Sequence, residues 1–414
     1  MYADDVERDV DAIRLDAWGK VVRSAGVVQW AVVGADGRPV EPIVRFLRDF
    51  VARGNAAGSV RSYAYALQRW WRFLRAVGVE WDAATTAECR DFVLWLMRTE
   101  KARRAPRTKS AALAGRINSV TRKRHLSDRY QPRTIRHSNA VVRSFYEFWI
   151  ERGEGPLINP VPMDRRAGRR ANAHHNPMEP FRHEGRLRYN PRVPKSRPRA
   201  MPEERWSEFF ASLRSNRDRA IMAIAISTGA RAAELLGVTG ADVDWGDQLI
   251  RVRRKGSGAQ QWLPASPESF VWLRLYLREI GQVGQHDQVW RTLRRRRRSD
   301  GSLEFQVLEY AALRAVLVRA NERLGSNWSM HDLRHTCALR MTRDTRLSLR
   351  DIQLILGHAD LTTTQIYLED DDQEVIHRVQ GYLADRRQAA AAPPRPAEGY
   401  DAETLSVLFG GATS

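Results

Sequence analysis

A histidine, an arginine, a second histidine and a tyrosine stand at short intervals toward the C-terminal end of the chain, and together they could do chemistry. His331 and Arg334 lie three residues apart, and in a helix beginning near Met330 they share a face. A group bound on that face meets a permanent cation and a titratable imidazole. The segment from Asp351 to Leu356 has apolar residues at helical spacing, and Gly357 after it is a usual C-cap residue. The turn that follows presents His358. Thr362, Thr363 and Thr364 then suit the N-cap of a short helix carrying Tyr367. A tyrosine has an ordinary pKa of about 10 and attacks poorly at neutral pH unless cations and a base surround it. This spacing supplies both.

His331-x-x-Arg334, then Leu356-Gly357-His358, then Tyr367 resembles the C-terminal signature of the tyrosine recombinases, the phage integrase family. That family also has an upstream arginine in a Thr-Gly-x-Arg-x-x-Glu-Leu setting, and Thr228-Gly229-Ala230-Arg231-Ala232-Ala233-Glu234-Leu235 matches it. Its catalytic lysine sits on a β-hairpin, which Ile250 to Pro264 resembles, with Lys255 at the matching place. The likeness is close over residues 200–385 and looser over 40–153. Ala230 departs from the family, which more often has a larger apolar residue there; this bears on packing, not chemistry.

The resemblance implies transesterification of a DNA phosphodiester. Such a reaction needs a nucleophile, neutralisation of charge on the pentacoordinate phosphorus, and a proton for the leaving oxygen. Tyr367 is the expected nucleophile. Arg231 and Arg334 offer forked donors to two phosphate oxygens. His331 and His358 can hydrogen-bond those oxygens and move protons. Lys255 is suited to protonating the leaving 5′ oxygen, and Glu234 to orienting Arg231 or His331 from behind. The neighbouring His335 reads as structural. Paired carboxylates for a two-metal nuclease and a phosphate-cradling glycine loop are both missing from the sequence. No metal, nucleotide or other cofactor is expected.

The elements that must position these residues follow from patterning. Residues 1–38 form an N-terminal lead, acidic and then apolar, with a strand expected at Val27–Val33 and a turn at Asp36-Gly37. Residues 39–153 read as a helical domain. Ile43, Phe46, Leu47 and Phe50 recur at helical spacing, as do Tyr63, Leu67, Trp70, Trp71 and Leu74. Further helices are expected at Cys89–Met97 and Arg133–Ile150, and the aromatics of all these helices read as core. Between the last two lies a stretch dense in lysine and arginine. Its Arg103, Arg104, Lys123 and Arg124 are expected to touch DNA phosphates.

Residues 154–200 are rich in Pro, Asn and Arg and read as a basic interdomain linker. Arg165, Arg166, Arg169 and Arg170 are expected to lie along phosphates. His174, His175 and His183 lack a second ligand pair and are not expected to bind metal. Residues 201–387 read as the catalytic domain. Helices are expected over 202–213, over 219–228 and around Trp272, Leu275 and Tyr276, with a short sheet from 240–245 and 250–264. Arg254 on the hairpin is expected to contact DNA. Arg294–Arg298 reads as a loop or frayed helix end touching phosphates. Residues 388–414 form a flexible tail, whose segment 403–409 could dock on a neighbouring protomer.

The fold class expected is therefore mainly α with a small antiparallel β-sheet. The resemblance makes its two parts an N-terminal helical, SAM-like core-binding domain and a C-terminal tyrosine-recombinase catalytic domain.

Bulk properties agree. The 414 residues suffice for two or three domains, and 68 Lys and Arg against 49 Asp and Glu give a net charge of +19. Such an excess points to a polyanionic partner. Cys89 and Cys337 sit in apolar contexts and read as buried thiols. Neither a signal peptide nor an apolar run of about 20 residues is present, so no membrane role and a cytoplasmic location are expected. The resemblance implies double-stranded DNA recombination sites as partner and a homo-tetramer on DNA, with a possible accessory or partner recombinase. It favours integration or excision of a mobile element. A chromosome-resolution recombinase, a type IB topoisomerase and a catalytically inactive DNA-binding regulator are the alternatives.

Overall fold

The computed structural model of the chain describes residues 7–101, 113–164, 186–194, 199–254, 256–297 and 301–358, together with Gln380 and Leu383. The fold is mainly helical with small antiparallel sheets, as expected. It divides into two units, residues 1–196 with 318–328 and residues 197–317 with 329–414.

The first unit is built from strands β1 (Lys20–Arg23) and β2 (Trp30–Val33) and helices α1 (Glu41–Ala52), α2 (Ala57–Ala76), α3 (Thr86–Arg98) and α4 (Pro132–Ile150). The helical spacing of aromatics noted in the sequence becomes its core. Phe46, Trp70, Phe73, Phe92, Phe145, Tyr146 and Trp149 are all fully buried. Each large apolar side chain buried this way contributes roughly 1.5–3 kcal/mol relative to exposure. Two of the three polar tips are satisfied in series, Trp70 Nε1 donating to Tyr146 Oη at 3.0 Å and Tyr146 Oη to Trp81 O at 2.7 Å, while Trp149 Nε1 is buried without a hydrogen-bond partner among the described residues. Thr85 caps α3 by exchanging hydrogen bonds with Glu88.

Two expectations change here. The N-terminal lead packs onto α2, with Arg72 donating to Trp18 O and Gly19 O at 2.6 and 2.7 Å. A strand at Lys20–Arg23 went unread because it has few apolar residues. The ends of the segment read as a linker are also packed. Val161 is 1% exposed, Met163 bridges Leu187, and Tyr189 lies against the core.

The second unit is organised by α6 (Asn216–Thr228), which is buried on nearly every face from Ala220 to Ile226 and packs between α8 (Pro267–Ile280) and α10 (Met330–Thr342). A helix apolar all round belongs in a core. Helix α5 (Glu203–Ala211) precedes it, and the short α7 (Ala232–Leu236) follows. Strands β3 (Val243–Asp244), β4 (Leu249–Arg253) and β5 (Gln260–Pro264) form an antiparallel sheet in that order, with Ile250 opposite Leu263 and Arg253 opposite Gln260. Helices α9 (Tyr310–Leu324) and α11 (Leu349–Leu356) complete the described elements.

The arginine run is not a loop or frayed helix. It is strand β6 (Arg291–Arg297), paired with β7 (Leu303–Val307) and exposed from Leu293 onward. Arginine has little intrinsic preference for a strand. Cross-strand partners hold it there, Arg295 lying over the Phe305 ring at 5.2 Å and pairing with it in register. Among the described residues, no helix is long and apolar enough to cross a membrane.

Candidate active site

Helix α10 begins at a capping box. Asp332 Oδ2 accepts from Ser329 Oγ at 2.6 Å and Ser329 N at 2.8 Å. This explains the order His-Asp-Leu-Arg. Asp332 fixes the first turn, and its neighbours His331 and Arg334 line one cavity of about 720 Å³. Arg231 lines the same cavity, as do Gln288, Glu309 and Tyr310.

Arg231 stands immediately before α7. Glu234, in that helix's first turn, reaches back and accepts from Arg231 N at 2.9 Å and from its guanidinium at 2.8 Å. The Glu234 side chain is only 1% exposed while that of Arg231 is 32% exposed. The carboxylate therefore aims the cation outward from a buried footing. Of the two partners foreseen for Glu234, it takes Arg231.

Arg334 is 3% exposed, and its two Nη atoms donate to Gly229 O and Leu356 O, both at 2.6 Å. It thus ties the end of α6 to the end of α11. Gly229 lies in the left-handed region at φ 64°, where a Cβ would stand 2.7 Å from Leu356 Cδ2. Glycine there permits the close approach.

His358 follows the left-handed Gly357 at the end of α11, as the sequence foresaw. Its backbone is pinned by an exchange with Gln353, His358 N to Gln353 O and Gln353 Nε2 to His358 O, both 3.1 Å. Burial, then the positive charges of Arg334, Arg231 and Arg254 and finally His335, push its imidazole down to about 4. At neutral pH it is an uncharged imidazole set among cations. His331 is exposed, and its ring meets that of His335 edge to face with centroids 4.2 Å apart.

Arg254, expected to reach DNA, does not point outward. It is 6% exposed, with Nη1 on Glu234 at 3.2 Å, Nε on Gln261 Oε1 at 2.7 Å and Nη2 on Ile355 O. Its charge is used inside the protein, on the buried Glu234 carboxylate that also accepts from Arg231. Gln261 escaped the sequence reading, since a glutamine on a strand carries no chemical signal.

In the first unit, Lys123 and Arg124 stand on a turn closed by the Ile117–Arg124 bridge, Arg124 exposed and Lys123 partly so. Lys255, Tyr367 and the helix start at Thr362 lie outside the described residues. So do Arg103, Arg104, Arg165, Arg166, Arg169, Arg170, His174, His175, His183 and the tail from 388. Within the second unit the structure brings Arg231, Glu234, His331, Arg334 and His358 together.

Comparison with known proteins bears on the family and the fold. The model of the phage integrase family matches residues 201–374, and that of the phage integrase N-terminal SAM-like domain matches residues 43–115. Tyrosine recombinase XerD of Proteus mirabilis is 28% identical over 199 residues, 45% of this chain and 61% of that relative. The chain spans less than two thirds of the length of the Xer recombinases it matches. Transposase A from transposon Tn554 of Staphylococcus aureus is 23% identical over 358 residues, 83% of this chain and 91% of the relative. Among solved structures, a lambda integrase dimer bound to a COC′ core site is similar in fold. Its TM-score is 0.50 at 14% identity, and the match covers 80% of this chain and 95% of that one. The chain belongs to the phage integrase family.

Proposed function

We propose that this protein is a site-specific DNA recombinase that cuts and rejoins strands through a covalent 3′-phosphotyrosine, integrating or excising a mobile element. The observation that carries the reading is that Arg231, His331 and Arg334, from distant segments, line one cavity. The Tyr367 oxygen attacks the phosphorus as its phenol proton passes to His331 or His358, the bond to the 5′ oxygen breaks, and Lys255 gives that oxygen its proton. Arg231 and Arg334 neutralise the charge gathering on the phosphoryl oxygens. His331 and neutral His358 complete the shell of donors. The 5′-hydroxyl of a second strand reverses the step and reseals the backbone, so no cofactor is consumed.

The mobile-element reading rests on the Tn554 transposase, which aligns along most of this chain, whereas the Xer matches are partial. In this reading residues 39–153 bind the core site, 201–387 catalyse, and 154–200 join the two along the duplex. Lys123, Arg124 and the basic residues at 103–104 and 165–170 meet phosphates. The working assembly is a homo-tetramer across two double-stranded DNA sites in the cytoplasm, with an accessory or partner recombinase as an optional member. The test is covalent trapping on nicked duplexes taken from DNA flanking the gene. An SDS-resistant adduct that disappears in Tyr367→Phe is the expected result. Tight binding with no adduct on any flanking DNA would favour a DNA-binding regulator instead.

A further inference from the structure

The last carbonyls of a helix have no partner within it and must be capped from outside. At the end of α11 the caps come from three separate places. Leu354 O accepts from Gln261 Nε2 at 2.9 Å, Ile355 O from Arg254 Nη2, and Leu356 O from Arg334 Nη2 at 2.6 Å. The next residues are Gly357 and His358. Gly357 has φ 63°, and a Cβ on it would stand 2.7 Å from Arg254 Nε, so the arginine lies directly over the turn.

Two of these three caps also touch each other and the hairpin. Arg254 Nε donates to Gln261 Oε1 at 2.7 Å, joining the end of β4 to the opposite strand β5. Arg254 Nη1 meets Glu234 at 3.2 Å, and Glu234 holds Arg231. One continuous set of polar contacts therefore runs from Arg231 through Glu234 and Arg254 to the turn that presents His358. Arg254 is also the residue before Lys255.

We infer that Arg254 and Gln261 are positioning residues for the strand-transfer reaction: they lock the His358 turn and the base of the hairpin into one frame with Arg231. Neither needs to touch DNA. Arg254 is not among the residues that line the cavity shared by Arg231, His331 and Arg334, and Gln261 donates to Leu354 O. A hydrogen-bonded frame suits the task because phosphoryl transfer depends on donors standing in place before the charge develops. The inference rests on the recombinase reading.

The test is single-turnover adduct formation on a nicked duplex, with wild type, Gln261→Ala, Arg254→Lys and Arg254→Met measured for rate, DNA affinity and melting. Gln261→Ala removes one cap from a partly exposed side chain and leaves the buried ion pair in place, so it keeps the test open if Arg254→Met does not fold. A misplacement near 1 Å costs about 100-fold in rate. The expected result is a loss of about 10-fold for Gln261→Ala and about 100-fold for Arg254→Met, with DNA affinity within about twofold of wild type. Arg254→Lys, which keeps the charge but not the fork, should fall between them.

A second readout is specific to positioning. The charge of Arg254 helps hold the His358 imidazole down, alongside Arg334, Arg231 and His335. In Arg254→Met the acid limb of the rate profile should move to higher pH, while Gln261→Ala, which removes a cap but no charge, should leave it in place. Wild-type rates in both Gln261→Ala and Arg254→Lys would overturn the inference, as would an unmoved acid limb in folded Arg254→Met. An absence of adduct with wild type would instead overturn the recombinase reading.

Discussion

Glu234 holds Arg231 at two points, its backbone N–H at 2.9 Å and its guanidinium at 2.8 Å, and the same carboxylate pairs with Arg254 at 3.2 Å. One buried acid thus fixes the start of α7, aims an exposed cation and compensates a buried one.

Glu234→Gln should therefore damage folding as well as chemistry. It leaves Arg254 as a charge inside the protein without its counter-ion, a change that costs about 3–5 kcal/mol. A clear drop in melting temperature is expected, accompanied by slower adduct formation in whatever fraction remains folded. Wild-type melting would mean that Arg254 finds another partner or that water reaches it.

His358 makes a prediction about pH. Its folded value near 4 lies below the ordinary value of about 6.5. Between those limits the unfolded chain binds a proton that the folded site refuses, so stability falls as pH drops from about 6.5 toward about 4 and is regained on returning above that window. An imidazole titration followed by NMR should show a midpoint for His358 well below those of exposed histidines. His358→Gln should flatten the slope of stability against pH in that window. A His358 midpoint near 6.5 would show that the surrounding cations do not act on it.

Gly357→Ala should be costly for two separate reasons. A left-handed backbone carries a penalty of about 1–2 kcal/mol for a residue with a Cβ. The new methyl would also meet Arg254 Nε at 2.7 Å. Lower melting temperature and slower cleavage are expected together, whereas Gly37→Ala, with a positive φ in open space, should show the backbone cost alone.

The arginine strand predicts a salt effect. Arg294 to Arg297 are exposed on β6. Replacing all four with glutamine should flatten the dependence of log affinity on log salt by about 0.9 for each phosphate left without its arginine. An unchanged slope would mean that this ribbon stands clear of the duplex.

Much of the second unit was legible in the sequence because its motifs combine a chemical group with a backbone requirement. His331 and Arg334 read as sharing one face of a helix that begins near Met330, Gly357 as a helix stop, and Glu234 as a partner of Arg231 or His331. Each forecast rested on local spacing, and local geometry decided the outcome. Two of the misreadings were long-range. Arg254 looked like a surface cation because nothing nearby in sequence shows that Glu234 and Ile355 close over it. Gln261 was invisible for the same reason. The strand β6 exists because β7 lies beside it, and an all-arginine segment gives no local sign of that.

The three caps on α11 also bear on how the protein folds. Arg254 meets Ile355 across 101 positions of sequence and Gln261 meets Leu354 across 93, while Arg334, whose cap on Leu356 O spans only 22, also meets Gly229 across 105. Contacts between such distant residues close late, since the chain must first lose the entropy of large loops. The contacts that hold the turn carrying His358 therefore need β4, β5, α6 and α10 in place. A nascent or partly unfolded chain, however basic and however firmly it clings to DNA, would lack the geometry to break a strand. On the recombinase reading, strand cleavage would therefore await a completed fold.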